Sequence, residues 1–293
     1  MSTAKRRATT EDDITNEAVK RFDATPNPRL RQIMHSLVKH LHAFAKDVQL
    51  TEAEWFEGIK FLTDTGHMCN DLRQEFILLS DTLGLSMVVD LISHRKPEGA
   101  TESTVFGPFY RPGAPELPAG GNMCPTDTKG TPCLISGRVL DQHGKPVVGA
   151  LLDVWQANSE GFYDSQLETR ATLQMRGRYR TDEHGKFVVR TNRPVAYQIP
   201  TDGPVGKMLL ATNRHPWRPA HVHFVVSADG FEPVTTHIFD SIDPYLTSDA
   251  VFGVKDSLIC EFKEHKAQTE AAKHHNVPAP FLTTEFEFVL KAK

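Results

Sequence analysis

The spacing of apolar residues changes near residue 100, and this change limits the fold more than any other feature of the 293-residue chain. Before it, apolar side chains recur every three to four positions. After it, they come in short runs punctuated by turn residues. The first pattern gives each helix one apolar stripe; the second is that of short strands. Leu30, Ile33, Met34, Leu37, Leu41, Phe44 and Val48 keep the helical period, and Pro28 suits the first turn of that helix. Thr10-Glu11-Asp12-Asp13 and Thr51-Glu52-Ala53-Glu54 have capping-box spacing. The first should open a helix ending around Ala24, the second a helix through Trp55, Ile59 and Leu62. Asn70 is expected to cap a helix through Phe76, Leu79 and Leu83, which Gly84 breaks before Leu85 to Ile92.

Beyond residue 100, Gly107 to Pro125 is rich in proline and glycine and should wrap irregularly. Leu134 to Asp141, the turn Gln142-His143-Gly144-Lys145 and Ala150 to Ala157 read as a hairpin-type connection. Further strands are expected at Lys186 to Thr191, Val195 to Ile199, His221 to Val226, Val234 to Phe239, Leu258 to Phe262 and Thr283 to Leu290. Many short strands with regular turns indicate a sandwich or barrel. The fold expected is α+β and mainly β: a helical region over residues 1–100, then an antiparallel β-sandwich over residues 101–293.

Charge and cysteine usage exclude several roles. A formal charge of −4 without a long basic stripe gives no footprint for nucleic acid. No run of about 18 apolar residues predicts insertion into a membrane. Met1 to Arg7 is basic, but no apolar stretch follows, so it does not read as a secretory signal. Cys69, Cys124, Cys133 and Cys260 are scattered with no Cys-x-x-Cys spacing, which suits free thiols in a reducing cytoplasm.

His221-Val222-His223 carries the clearest chemical signal. Residues i and i+2 of a strand project from one face, roughly 6.6 Å apart along the backbone, so two imidazoles can converge on one metal ion. Two ligands do not fix a site, and the partners must come from elsewhere. Of five tyrosines, Tyr163 lies just past a strand end and Tyr197 lies on a short strand between prolines.

The order Tyr163, Tyr197, His221-Val222-His223 resembles the iron site of the intradiol ring-cleavage dioxygenases. So do Leu152-Asp153-Val154-Trp155-Gln156-Ala157-Asn158, Arg176-Gly177-Arg178-Tyr179-Arg180-Thr181-Asp182 and Arg218-Pro219-Ala220. The resemblance covers nearly the whole chain. It is greatest to the hydroxyquinol-cleaving branch, with the catechol and chlorocatechol branches near. It implies one Fe(III) per subunit held by Tyr163, Tyr197, His221 and His223. The chemistry agrees: two phenolates, two neutral imidazoles and one hydroxide neutralise a 3+ ion, and the cation deprotonates both phenols.

The same resemblance implies that Tyr197 doubles as ligand and base when an aromatic diol or triol binds for attack by O2. Arg218 would stabilise developing negative charge. His237 stands where catechol-cleaving relatives often carry glutamine. The pocket would be walled by Leu78, Asp81, Val105, Phe106, Gly107, Pro108, Phe109, Ile199, Pro200, Arg218 and Val251, with Asp81 accepting a third substrate hydroxyl. Relatives are homodimers joined through the helical region, which also holds a phospholipid. Two other readings stay open: a catechol or chlorocatechol enzyme, and a non-catalytic transthyretin-like module binding a metal or an aromatic.

Overall fold

A computed structural model describes residues 10–95, 99–168 and 172–293. The chain divides into two compact units, Met1–Thr63 and Asp64–Lys293.

The first unit is helical. Helix α1 (Glu11–Lys20) is capped by Thr10, whose hydroxyl accepts from Asp13 N at 3.1 Å. It ends at Lys20 and continues as a turn to Ala24, and Pro26 bars the helical conformation from Thr25. Helix α2 (Pro28–Asp47) opens on Pro28, as expected, with Asn27 Oδ1 accepting from Arg29 N and Leu30 N. It packs on α1 through Lys46–Asp12 at 2.8 Å and Thr15–His42 at 2.9 Å. At the start of α3 (Glu52–His67) the capping box is reciprocal: Thr51 N donates to Glu54 Oε2, and Glu54 N donates to Thr51 Oγ1. No residue of α2 is buried, and its stripe of Leu30, Ile33, Leu37, Leu41, Phe44 and Val48 lies exposed.

The second unit takes in the last turn of α3 and then α4 (Glu75–Thr82) and α5 (Leu85–Ser93), which meet at 80° across Gly84 with its φ of 76°. Asn70 does not cap α4. Its side chain instead accepts from Leu72 N and Arg73 N, closing a local turn, and the helix starts four residues later than that cap would require. Among the described residues, no single helix is long and apolar enough to cross a membrane.

Two sheets follow. One has the order β10-β11-β1-β4, from β1 (Pro132–Asp141), β4 (Lys186–Asn192), β10 (Lys263–His265) and β11 (Phe281–Leu290). The other has the order β3-β2-β7-β8-β9, from β2 (Leu151–Trp155), β3 (Arg176–Arg180), β7 (His221–Ser227), β8 (Val234–Asp240) and β9 (Ile259–Cys260). Most pairings are antiparallel; β1–β11 and β8–β9 are parallel. Ile135, Val139, Phe187, Val189 and Phe288 of the first sheet share a core with Leu152, Val154, Val222, Phe224 and Ile238 of the second. Alternating side chains from two inner faces make this a sandwich core. Short helices α6 (Pro204–Ala211) and α7 (Glu270–His274) lie in the connections.

Two strand expectations need correction. β1 and β2 are not hairpin partners but belong to different sheets. Asp141 ties the turn by accepting from His143 N and Lys145 N, and Pro146 then has no N–H to extend the ladder, so the chain crosses over. The strand near Tyr197 shrinks to β5 (Tyr197–Gln198), confined by Pro194 and Pro200. It pairs with β6 (Trp217–Arg218), which Pro219 separates from β7.

Candidate metal centre

Strand β7 is buried on both faces, and its period of two assigns different work to each. Val222, Phe224 and Val226 enter the sandwich core, which leaves His221 and His223 on the opposite face. Register brings further rings to that face. Trp155 on β2 pairs with His223 and stacks on it at 4.5 Å between ring centroids, 12° from parallel. His237 on β8 pairs with His223 from the other side, at 4.0 Å between centroids.

The loop after β2 delivers Tyr163. Asn158 shapes it by accepting from Glu160 N and Phe162 N, and Gly161 takes a φ of 84°. A Cβ at Gly161 would lie 3.1 Å from Tyr197 Cβ, so the absent side chain lets the two tyrosines approach. Phe109 stacks on Tyr163 at 4.5 Å and 17°. Tyr197 arrives on β5, paired with Arg218 on β6.

Four donor atoms converge. Tyr163 Oη lies 2.8 Å from His223 Nε2, 3.5 Å from His221 Nε2 and 3.4 Å from Tyr197 Oη. The two imidazole Nε2 atoms are 3.1 Å apart. The tautomer of His221 follows from its neighbours. A carbonyl only accepts, so Nδ1, 2.6 Å from Pro219 O, carries the proton. Arg218 Nη1 donates to the bare Nε2 at 3.1 Å.

Burial pushes His221, His223 and His237 well below the ordinary imidazole range, and the neighbouring Arg218 guanidinium adds to the effect. Burial, followed by the adjacent Tyr197, pushes Tyr163 well above the usual phenol range. Both imidazole Nε2 atoms and both phenol oxygens thus face one another across one buried cluster. A metal resolves this arrangement. At about 2 Å from a metal, donors at right angles sit about 3 Å apart, as these do. His221, His223 and His237 also bring ligand atoms within 4.8 Å of one another. Two tyrosine oxygens alongside them make a mixed oxygen and nitrogen set suited to a hard cation.

A cavity of about 1250 Å³ opens beside these donors. Of the four, Tyr197 alone lines it, together with Leu78, Pro108, Phe109, Ile199 and Pro200. Phe106 and Gly107 instead line a smaller neighbouring cavity of about 210 Å³, which Pro108 and Phe109 share. Asp81, Val105, Arg218, His237 and Val251 are buried and line neither. Burial is the main cause that raises the Asp81 carboxyl above its usual range; Arg218 and Ser86 pull the other way.

Several contributors carry no mark in the sequence. Arg218 is held by Asp249, 31 residues away, at 3.0 Å from Nε and 3.2 Å from Nη2. Arg176 ties the Asp164 carboxylate to Phe109 O, which anchors both the residue after Tyr163 and the ring stacked on it. Adjacency to Tyr163 was the one available hint for Asp164. Glu75, Arg73 and Trp217 also line the large cavity.

Comparison with known proteins agrees with this geometry. Residues 27–101 match the model for the catechol dioxygenase N terminus, and residues 105–292 match that for the dioxygenase domain. The chain belongs to the intradiol ring-cleavage dioxygenases. It is 48% identical over 281 residues to a hydroxyquinol 1,2-dioxygenase of Rhizobium sp., covering 96% of this chain and 95% of the relative. A 6-chlorohydroxyquinol 1,2-dioxygenase of Cupriavidus pinatubonensis is 53% identical over 249 residues, covering 85% and 90%. The crystal structure of hydroxyquinol 1,2-dioxygenase from Pseudomonas putida DLL-E4 matches with a TM-score of 0.90 and 54% identity, over 97% of this chain and 99% of that one. Membership in this family implies a metal cofactor.

Proposed function

We propose that this enzyme cleaves hydroxyquinol (benzene-1,2,4-triol) with O2 between its adjacent hydroxyls, giving 3-hydroxy-cis,cis-muconate, which tautomerises to maleylacetate. Fe(III) held by Tyr163, Tyr197, His221 and His223 is the proposed cofactor. The observation that carries the reading is the convergence of two tyrosine oxygens and two imidazole nitrogens at 2.8–3.5 Å beside a cavity with an apolar wall. Two anionic donors favour a ferric over a ferrous ion. When bound, such an ion would supply a Lewis acid that polarises the diol oxygens and renders the ring reactive towards O2.

The chain's own residues divide the remaining work. Leu78, Pro108, Phe109, Ile199 and Pro200 grip a flat ring by apolar contact and exclude water. Tyr197, the donor that faces the cavity, takes a substrate proton at Oη. Arg218 Nη1, 3.4 Å from that oxygen, is a fixed positive charge for the negative charge that develops there. Tyr163, His221 and His223 would serve as the holding set. Trp155 and Phe109 fix two of those rings by stacking. His237, wedged against both histidines, keeps their spacing. Asp81 is assigned to the third hydroxyl: a buried carboxyl needs a partner, and rejection of catechol follows if the substrate provides it. Phe106 and Gly107 wall the smaller neighbouring cavity, and Val105 and Val251 lie buried outside both linings.

The exposed apolar stripe of α2 supports a homodimer formed through the helical region, with a phospholipid chain covering part of the same surface. Four free thiols support a cytoplasmic setting. Oxygen uptake with benzene-1,2,4-triol, catechol and 4-chlorocatechol side by side tests the substrate. Fastest turnover of the triol is expected, and preference for either diol would displace this reading in favour of the catechol or chlorocatechol branch.

A further inference from the structure

We infer that Asp249 is a positioning residue for ring cleavage: it clamps the Arg218 guanidinium from one side, so that the remaining nitrogen is held against Tyr197 and His221. This rests on the ring-cleavage reading above.

The geometry is directional. Arg218 Nε donates to Asp249 Oδ1 at 3.0 Å and Nη2 donates to Oδ2 at 3.2 Å, a two-pronged pairing that fixes the guanidinium plane. Only Nη1 is left over. It points the other way, 3.1 Å from His221 Nε2 and 3.4 Å from Tyr197 Oη. Planarity makes this rigid: where two nitrogens are fixed, the third has no freedom.

The clamp is itself held. Asp249 Oδ1 also accepts from Val251 N at 3.2 Å and Oδ2 from Gly253 N at 2.9 Å, so each oxygen takes one amide and one guanidinium nitrogen. Ala250 N donates to Trp217 O at 3.0 Å, which joins this loop to the residue before Arg218. Gly253 leaves no slack. A Cβ there would sit 3.0 Å from Arg218 Nη2, 3.1 Å from Thr104 Oγ1 and 3.2 Å from Asp249 Oδ2. Both charged side chains are buried, so each needs the other. A surface ion pair would tolerate drift; this one is boxed by four hydrogen bonds and a glycine.

The test separates a clamp from mere scaffolding. Wild-type turnover of benzene-1,2,4-triol is measured first, and its absence would sink the ring-cleavage reading, not the clamp. Asp249→Asn should then keep iron content and KM within about threefold while kcat falls about 10- to 100-fold; unchanged kcat would overturn the inference. The decisive arm uses Arg218→Ala with added ethylguanidinium, which replaces the missing fork. Binding to the metal-free protein, read by NMR line broadening, and recovery of turnover in the iron-loaded protein should both occur with Asp249 and vanish in Arg218→Ala/Asp249→Asn. Equal binding and recovery in both backgrounds would refute the clamp. If Asp249→Asn does not fold, Gly253→Ala serves: both charges remain, but the guanidinium is displaced. It should lower kcat with KM and iron unchanged, and an undiminished kcat would count against the inference.

Discussion

Replacing Arg218 by glutamine removes a buried positive charge 3.4 Å from Tyr197 Oη. At an effective dielectric constant of about 20, two unit charges at that distance interact by about 5 kcal/mol. Asp249, on the far side of the guanidinium, opposes the effect, and about half remains. A loss of about 2–3 kcal/mol corresponds to a fall of roughly 30- to 150-fold in kcat. Stability changes for a different reason. The substitution leaves Asp249 buried without its counter-charge, at a cost of about 3–5 kcal/mol, or roughly 10 °C in Tm for a unit of this size. The double variant Arg218→Gln/Asp249→Asn removes both charges and should recover most of the Tm but none of the rate. The assay is oxygen uptake at saturating benzene-1,2,4-triol, paired with thermal unfolding followed by circular dichroism. If the double variant regained kcat together with Tm, Arg218 would act only through stability and its electrostatic role would be refuted.

Three further outcomes are expected. Asp81→Ala should lower the ratio of kcat/KM for the triol over catechol by about tenfold or more, because the site loses its acceptor for the third hydroxyl; an unchanged ratio would clear Asp81. Ile135→Ala, in the core shared by the two sheets, should cost about 2–5 kcal/mol of stability in denaturant unfolding and leave turnover at low temperature intact. Leu37→Lys combined with Leu41→Lys places charge on the exposed α2 stripe and should halve the mass measured by sedimentation. An unchanged mass would exclude that face as the dimer contact.

Much of this molecule is legible in its sequence, for identifiable reasons. Helix starts were readable because caps are local: Thr10, Pro28 and Thr51 act within three residues of themselves. Asn70 misled because an Asn side chain closes a turn as readily as it caps a helix. The separation of β1 from β2 was hidden, since turn residues fix a local reversal but not the sheet that the next strand joins. His221 and His223 declared themselves through a period of two, and the tyrosines through family-like strings. Asp249 gave no signal, because an acidic residue 31 positions from its arginine looks like any surface aspartate until the fold brings them together. The position of Asp81 behind the cavity lining, rather than on it, was equally beyond sequence patterning.

Metal analysis and visible spectroscopy of the purified protein, alongside its His221→Ala variant, test the central claim most directly. One iron per chain, a red-brown phenolate-to-ferric absorption, and loss of both on removing the His221 imidazole are expected. A colourless protein carrying zinc, or a variant that keeps its full iron and colour, would contradict the proposed ferric centre.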